Sequence, residues 1–270
     1  MSLLPTNKNH VSFSEIKNWN ECSWRHYLAY VKKVDMFVPN VNVAVGTATH
    51  NTIEHFLKTK EMKVSIAREY LEKYLEENSG NEKFVKYSVD DEMKRIESIL
   101  EDVPKFLDEN YPNWEFVAAE EQLQESVKTL MEGHDEITFK GFIDCVIAVP
   151  GKKAGTKQYH LIDWKTATRP WGKDKLRDDN VMMQLKLYKK FWSEKHNIDM
   201  KDIRCAYIVL IKTAKPGKHC QRVDVSVGET SAKRSLEVID NMLTALKNGI
   251  KIKNRMACKW CDYKNTEWCP

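Results

Sequence analysis

Two apolar runs near the middle of the chain constrain it most. "GFIDCVIAV" (141–149) and "HLIDWKT" (160–166) each read as a strand, and each carries an aspartate within the run. The connecting "PGKKAGTKQ" has the glycine and lysine content of a turn, so a hairpin brings Asp144 and Asp163 onto neighbouring strands. An acid inside "FIDCVI" is costly to bury unless it is paired or coordinated. Alternate side chains of a strand share a face, so Asp163 and Lys165 point one way and Trp164 the other. Two carboxylates beside a lysine suit a hard divalent cation that acidifies a water, with the ammonium orienting that water or offsetting charge on a phosphoryl group. A D-x-K triplet at a strand end also occurs as a solvated ion pair, and the triplet alone does not choose.

Helical patterns precede this hairpin. Ser12-x-x-Glu15 is a capping-box pattern, and Ile16, Trp19 and Cys22 follow at helical spacing, predicting a helix from Ser12 to about Ala29. A second helix is expected from Gly46-Thr47 through Leu57, and two more at about 64–78 and 88–109, with Pro104 ending or kinking the latter. From Trp114 the period becomes that of a strand, "WEFVAAEEQLQESV". After the hairpin come a helix near 179–196, strands at "IRCAYIVLIKT" and "CQRVDVSV", and a helix from Thr230 to about Asn248 stopped by Gly249. That order predicts one α/β or α+β domain with a mostly antiparallel sheet in its middle. A chain of 270 residues that is 42% hydrophobic and 30% charged can bury a sizeable core and is not of disordered composition. The net charge of +4 is compatible with a polyanionic partner. "MSLLPTNKNH" has no apolar leader core and no run reaches membrane-spanning length, so a cytoplasmic protein with no membrane partner is expected. A phosphate-cradling G-x-x-x-x-G-K-[ST] segment is absent, so the chain carries no ATP motor of that type.

Seven cysteines without an export signal argue against a disulfide framework. Cys258-x2-Cys261-x7-Cys269 supplies three thiolates near one another, and Cys22 is the natural fourth. Four thiolates hold either Zn²⁺ or an iron–sulfur cluster, and their spacing leaves the two open. Cys145, Cys205 and Cys220 lie in or beside strands and read as small core residues.

Weaker signals surround these. His50 stands early on a helix with Glu54 one turn later on the same face, and Gln184 and Tyr188 lie at i and i+4 on another. The segment "TATRPWGKDKLRDDN" carries Arg169, Trp171, Lys173, Lys175 and Arg177 against three acids. Cations interleaved with an aromatic suit single-stranded nucleic acid, and equally a solvated, mobile loop.

Taken in order, Gly46–His50, Gly141–Asp144, Asp163–Lys165 and Gln184–Tyr188 resemble the motifs of the RecB-like branch of the PD-(D/E)XK nucleases, over nearly the whole chain. The resemblance implies an α/β, restriction-endonuclease-like core with a mixed central sheet flanked by helices. It implies one domain over 1–270: a helical portion at about 12–110, a core at about 114–248, and a segment at 250–270 joined to Cys22. Asp144, Asp163 and Lys165 would be catalytic, with Gln184 and Tyr188 holding the DNA backbone or bracing the site. His50, Asp144, Asp163 and the Trp164 carbonyl would ligate Mg²⁺ or Mn²⁺. Of Glu120 and Glu121, adjacent on a strand, only one could supply the family's further glutamate. One early and three terminal cysteines resemble the iron–sulfur members, among them AddB-type nuclease domains and CRISPR-associated RecB-like exonucleases, so Cys22, Cys258, Cys261 and Cys269 would hold a [4Fe–4S] cluster, with Zn²⁺ the alternative. Trp24, Trp260, Tyr263 and Trp268 would shield it. The implied activity is a metal-dependent DNA exonuclease, acting on single strands, prokaryotic or phage-encoded, with a helicase, recombination or CRISPR-integration partner. A structure-specific endonuclease and a non-catalytic DNA- or partner-binding scaffold are the alternatives.

Overall fold

The computed structural model describes residues 4–36, 38–80, 84, 87–127 and 137–270, with the backbone alone at Trp260, whose expected shielding role lies outside the described residues. Its strands are β1 (His10–Ser12), β2 (Glu115–Ser126), β3 (Thr138–Pro150), β4 (Lys157–Ala167), β5 (Ile203–Ile211) and β6 (Cys220–Val225). The helices are α1 (Phe13–Glu21), α2 (Ser23–His26), α3 (Val41–Thr59), α4 (Ser65–Glu77), α5 (Val89–Asn110), α6 (Lys173–Leu176), α7 (Asp179–His196) and α8 (Glu229–Lys247).

The sheet runs β3-β4-β5-β6, with β2 along one edge of β3. It is mixed rather than mostly antiparallel, because β1 pairs β3 and β4 pairs β5 in parallel. On one face Val146, Leu161 and Val209 pack with residues of α1, α7 and α8. On the other, Cys145, Ile147, Ile162, Trp164 and Ile208 pack with residues of α3, α4 and α5. Strands buried on both faces read as unbroken apolar runs, which is why 141–149 stood out.

Two helical expectations need correction, and α5 matches the helix expected at about 88–109 except that Pro104 does not end it. α3 begins at Val41 rather than Gly46, because the Asn40 side chain accepts the Asn42 N–H at 2.8 Å and starts it a turn early. Gly46 therefore lies inside the helix, where a Cβ would stand 3.0 Å from Thr166 Oγ1; the missing side chain lets α3 approach β4. α5 continues through Pro104 to Asn110, since Leu100, Val103 and Leu107 bury one continuous stripe and proline removes a single donor. The expected helix from Ser12 to Ala29 does start on the Ser12 cap, whose hydroxyl accepts the Glu15 N–H at 3.3 Å. It breaks at Cys22, where the backbone is extended at φ −163° and ψ 107° before α2 and a π-helical turn at Tyr27–Val31.

His160 ties the β4 start to the end of α5. Its ring lies 4.9 Å from that of Tyr111, which the Arg222 guanidinium covers at 4.7 Å. Burial, then the Arg222 and Arg204 charges, push its pKa down to about 4 from an ordinary 6.5. The unfolded chain therefore takes up a proton that the folded chain refuses. Stability is full above about pH 6.5 and is lost as pH falls towards 4, by up to about 3 kcal/mol. Urea titrations from pH 7.5 to 4.5 are expected to show a flatter acid limb for His160→Phe than for the wild type; parallel limbs would refute the assignment.

Candidate active site

β3 has two partners on one edge. β1 pairs with it from Thr138 to Lys140, and β4 from Cys145 to Pro150, so among the described residues the stretch 141–144 faces no strand on that side. The hairpin register stops at Cys145–Ile162, and the next residue on each strand is Asp144 and Asp163. β4 meanwhile follows β5 through Ala167. The two strands thus diverge at the acids. Asp144 Oδ2 accepts the Trp164 N–H at 2.8 Å, replacing the ladder bond lost there.

Four of the expected side chains meet at this fork. Asp163 is almost wholly buried and pairs with Lys165 Nζ at 2.6 Å. His50 Nδ1, from α3, stands 3.8 Å from Asp144 Oδ2. Trp164 points oppositely into the α3–α5 core, as strand alternation requires. Burial, and then the Asp163 charge, raise the Asp144 carboxyl well above the usual range. Burial also raises Asp163, against the pull of Lys165. His50 is driven down to about 4 by burial and by Lys165, which leaves a neutral imidazole able to ligate. Its Nε2 is buried without a hydrogen-bond partner among the described residues.

Glu120, left undecided by the sequence, joins this cluster. Its carboxyl is raised by burial, by Glu54 and by Asp163, and its backbone takes φ +51°. A positive φ at a non-glycine residue in a strand costs on the order of 1–3 kcal/mol and marks a constrained site. Both strands of the β2–β3 ribbon exchange faces here: Ile143 and Leu123 pack on the α7 side, while Cys145 and Ala119 pack on the α3 side. Glu121 points away to α7, where Trp192 Nε1, Lys195 Nζ and His196 Nε2 all reach it within 2.8 Å. Burial pushes the Glu121 pKa up, but these bonds outweigh it and hold the carboxyl below its ordinary value. No local pattern separates two adjacent glutamates; the face exchange does.

Gln184 and Tyr188 act on β3. Gln184 Nε2 donates to the Tyr188 hydroxyl at 3.1 Å. A Cβ on Gly141 would lie 2.7 Å from the Tyr188 ring, so the glycine lets that ring lie flat against the strand beside Asp144.

In the basic loop Arg169, Lys173, Lys175 and Arg177 are exposed, with Lys173 and Lys175 on the short helix α6. Trp171 is partly buried against the core: its ring packs 5.2 Å from that of Tyr207, and its backbone N–H donates to Gln221 Oε1 at 2.8 Å.

Cys22, Cys258, Cys261 and Cys269 line one cavity of about 250 Å³, together with the basic residues Arg25, Lys253, Arg255 and Lys264. The tail is docked there: Asn254 N–H lies 3.4 Å from Cys22 Sγ, and Trp24 Nε1 donates to the Trp268 carbonyl at 3.2 Å. The Tyr263 hydroxyl donates to the Val34 carbonyl at 2.9 Å. Among the described residues, no three His, Cys, Asp or Glu side chains stand at the spacing of a single bound ion. No helix there is long and apolar enough to cross a membrane.

A family model described as "PD-(D/E)XK nuclease superfamily" matches residues 10–270. Among solved structures, a protein of Eubacterium rectale provisionally named an exonuclease superimposes with a TM-score of 0.58 at 14% identity, covering 96% of this chain and 90% of that one. At that identity the likeness is one of fold. The structure of SSO0001, with a TM-score of 0.39 and 11% identity over 95% of this chain and 84% of its own, is too distant to carry an argument. No curated protein matches the sequence. A family match running from β1 to the last residue, on a chain folded in this way, leads to one conclusion: the chain belongs to the PD-(D/E)XK nuclease superfamily.

Proposed function

We propose that the chain is a RecB-like exonuclease that hydrolyses single-stranded DNA from an end with Mg²⁺ or Mn²⁺, and that its four-cysteine cavity holds a structural [4Fe–4S] cluster. The observation that carries this reading is the fork at Asp144 and Asp163, where two buried carboxylates meet His50 and Lys165. Buried acids with raised pKa values and a buried imidazole nitrogen without a partner are groups whose burial a divalent cation would compensate. His50, Asp144 and Asp163 would hold the ion, drawing in from an arrangement in which the three do not stand at single-ion spacing, joined by the Trp164 carbonyl: a strand residue directs its N–H and C=O to the same side, and the Trp164 N–H already reaches Asp144. When bound, the ion would supply Lewis acidity to a phosphodiester oxygen and to the attacking water.

The remaining steps belong to the chain's own groups. Lys165, half-buried and tethered to Asp163, keeps an ammonium at the rim of the fork, where it can offset charge growing on the phosphoryl oxygens. Tyr188, braced by Gln184, fixes the β3 backbone that carries Asp144. Arg169, Lys173, Lys175 and Arg177 offer phosphate contacts from the loop that follows the catalytic strand.

For the cysteines, a zinc ion requires all four sulfurs within about 2.3 Å of one point. The four thiols line one cavity, where four neighbouring cations would offset thiolate charge, and the choice of a multi-iron cluster over Zn²⁺ rests on the resemblance of one early and three terminal cysteines to the iron–sulfur members. Domain organisation follows the same reading: one nuclease unit over 1–270, its ends tied by the cluster. A helicase, recombination or integration complex that delivers single-stranded ends is the fitting partner.

End-labelled single- and double-stranded DNA incubated with Mn²⁺ or Mg²⁺ tests the reading. The expected result is progressive shortening of the single strand, with a closed circular single strand left uncut. Cutting of the circle would replace the exonuclease with an endonuclease.

A further inference from the structure

We propose that the open face of the β2–β3 ribbon is a binding track for single-stranded nucleic acid, on which Phe142 stacks a base of the nucleotide next to the scissile phosphate. The inference rests on the nuclease reading of the fork and names how that site takes its substrate. Before the face exchange at Glu120 and Asp144, Phe139, Gly141 and Ile143 are buried against α7. The alternate residues Thr138, Lys140, Phe142 and Asp144 form the opposite face. From β2, Gln122, Gln124 and Ser126 are exposed there, in register with Phe142, Lys140 and Thr138 respectively. The α3–α5 layer covers this side only beyond the exchange, at Ala119, Cys145 and Ile147. Among the described residues, a strip of sheet left open by the helical layer therefore leads directly into the proposed catalytic carboxylates.

Its chemistry suits a single strand. Phe142 is 42% exposed, on a face whose other positions are polar. Lone exposed apolar residues are ordinary. This one is flanked by Lys140, whose Nζ lies 5.8 Å from the ring centroid, and opposed by Gln122, whose amide donates to Gln124 at 2.9 Å. A ring for stacking, a cation for the phosphate and amides for base edges are the components of single-strand binding surfaces. Alternate strand residues lie about 6.8 Å apart, so Phe142 is one step from Asp144. A base on that ring belongs to the nucleotide adjoining the phosphate at the fork. The platform is supported from beneath, because the Tyr188 ring lies against Gly141 and its hydroxyl is held by Gln184. In a duplex both faces of an internal base are already stacked, so the ring selects an unpaired strand.

Binding in EDTA separates recognition from cleavage. A fluorescein-labelled oligothymidine, and copies with one abasic site moved along it, are titrated with wild type, Phe142→Ala and Phe142→Trp. Phe142→Ala is expected to bind the intact oligomer about tenfold more weakly, and Phe142→Trp to bind it as the wild type does. One abasic position should cost the wild type a similar factor and cost Phe142→Ala nothing. Equal affinities for wild type and Phe142→Ala, or no abasic position whose penalty disappears in that variant, would overturn the track. Cleavage of the same oligomer with Mn²⁺ is scored separately. Cleavage with no effect of Phe142→Ala on binding removes the track and leaves the nuclease; a stacking effect without any cleavage removes the exonuclease reading and leaves the track.

Discussion

Asp163→Asn and Lys165→Ala are each expected to reduce metal-dependent DNA cleavage by on the order of 10³-fold or more, with far-ultraviolet circular dichroism unchanged. Removal of a single charge-stabilising donor from an active site already costs about 10²–10³ in rate. Asp163 is in addition an oxygen ligand in the proposed ion site, and Lys165 is tethered to it at 2.6 Å. The two variants separate catalysis from folding. Asn replaces a buried carboxylate whose pKa burial has raised, so metal-free Asp163→Asn should melt no lower than the wild type. A residue that destabilises the free protein and yet is needed for turnover serves the site rather than the fold. Rates measured at saturating Mn²⁺ on an end-labelled single strand check both. Wild-type cleavage by both variants would end the assignment of the fork as the catalytic centre.

Cys22→Ser should produce the second large effect: loss of a brown chromophore that dithionite bleaches in the wild type, and a melting temperature lower by about 10 °C or more. The tail is docked on the segment around residue 22 by Asn254 at Cys22 Sγ, Ile252 with Ser23, Trp268 with Trp24 and Tyr263 with Val34. The proposed thiolate-bound centre would close a loop spanning almost the whole chain, which would lower the entropy of the unfolded state. Structural thiolate sites contribute on the order of 10 kcal/mol when folding depends on them, and each kcal/mol moves the midpoint of a domain this size by about 2–4 °C. A partial loss is enough for the stated shift. Anaerobic purification, iron and zinc analysis and a thermal melt decide the matter. A colourless wild type with stoichiometric zinc would replace the cluster by Zn²⁺, and a melt unchanged in Cys22→Ser would remove the clip altogether.

Much of the architecture was legible because its signals are local. The apolar runs 141–149 and 160–166 marked β3 and β4, and the glycine- and lysine-rich turn joined them. Asp163-x-Lys165 on one face followed from strand pleating, and the Ser12 cap followed from a hydroxyl three residues before Glu15. Not every local signal was read: the Asn40 cap that starts α3 lies two residues from its bond, and Pro104 does not end the helix expected over 88–109, whose buried stripe continues past it. The break at Cys22 carries no local mark in the sequence.

By itself the sequence determined which residues alternate, which cap, and which charged groups share a strand face, because these depend on covalent geometry within a few residues. Only the tertiary structure decided that, among the described residues, β1 and β4 leave 141–144 unpartnered on one edge, that the hairpin parts at Asp144 and Asp163, and that Glu120 rather than Glu121 turns towards them. Those outcomes are set by which strand wins each edge of β3 across more than a hundred residues of chain. That competition is settled by burial on both faces of the sheet at once, and no short window of sequence contains it.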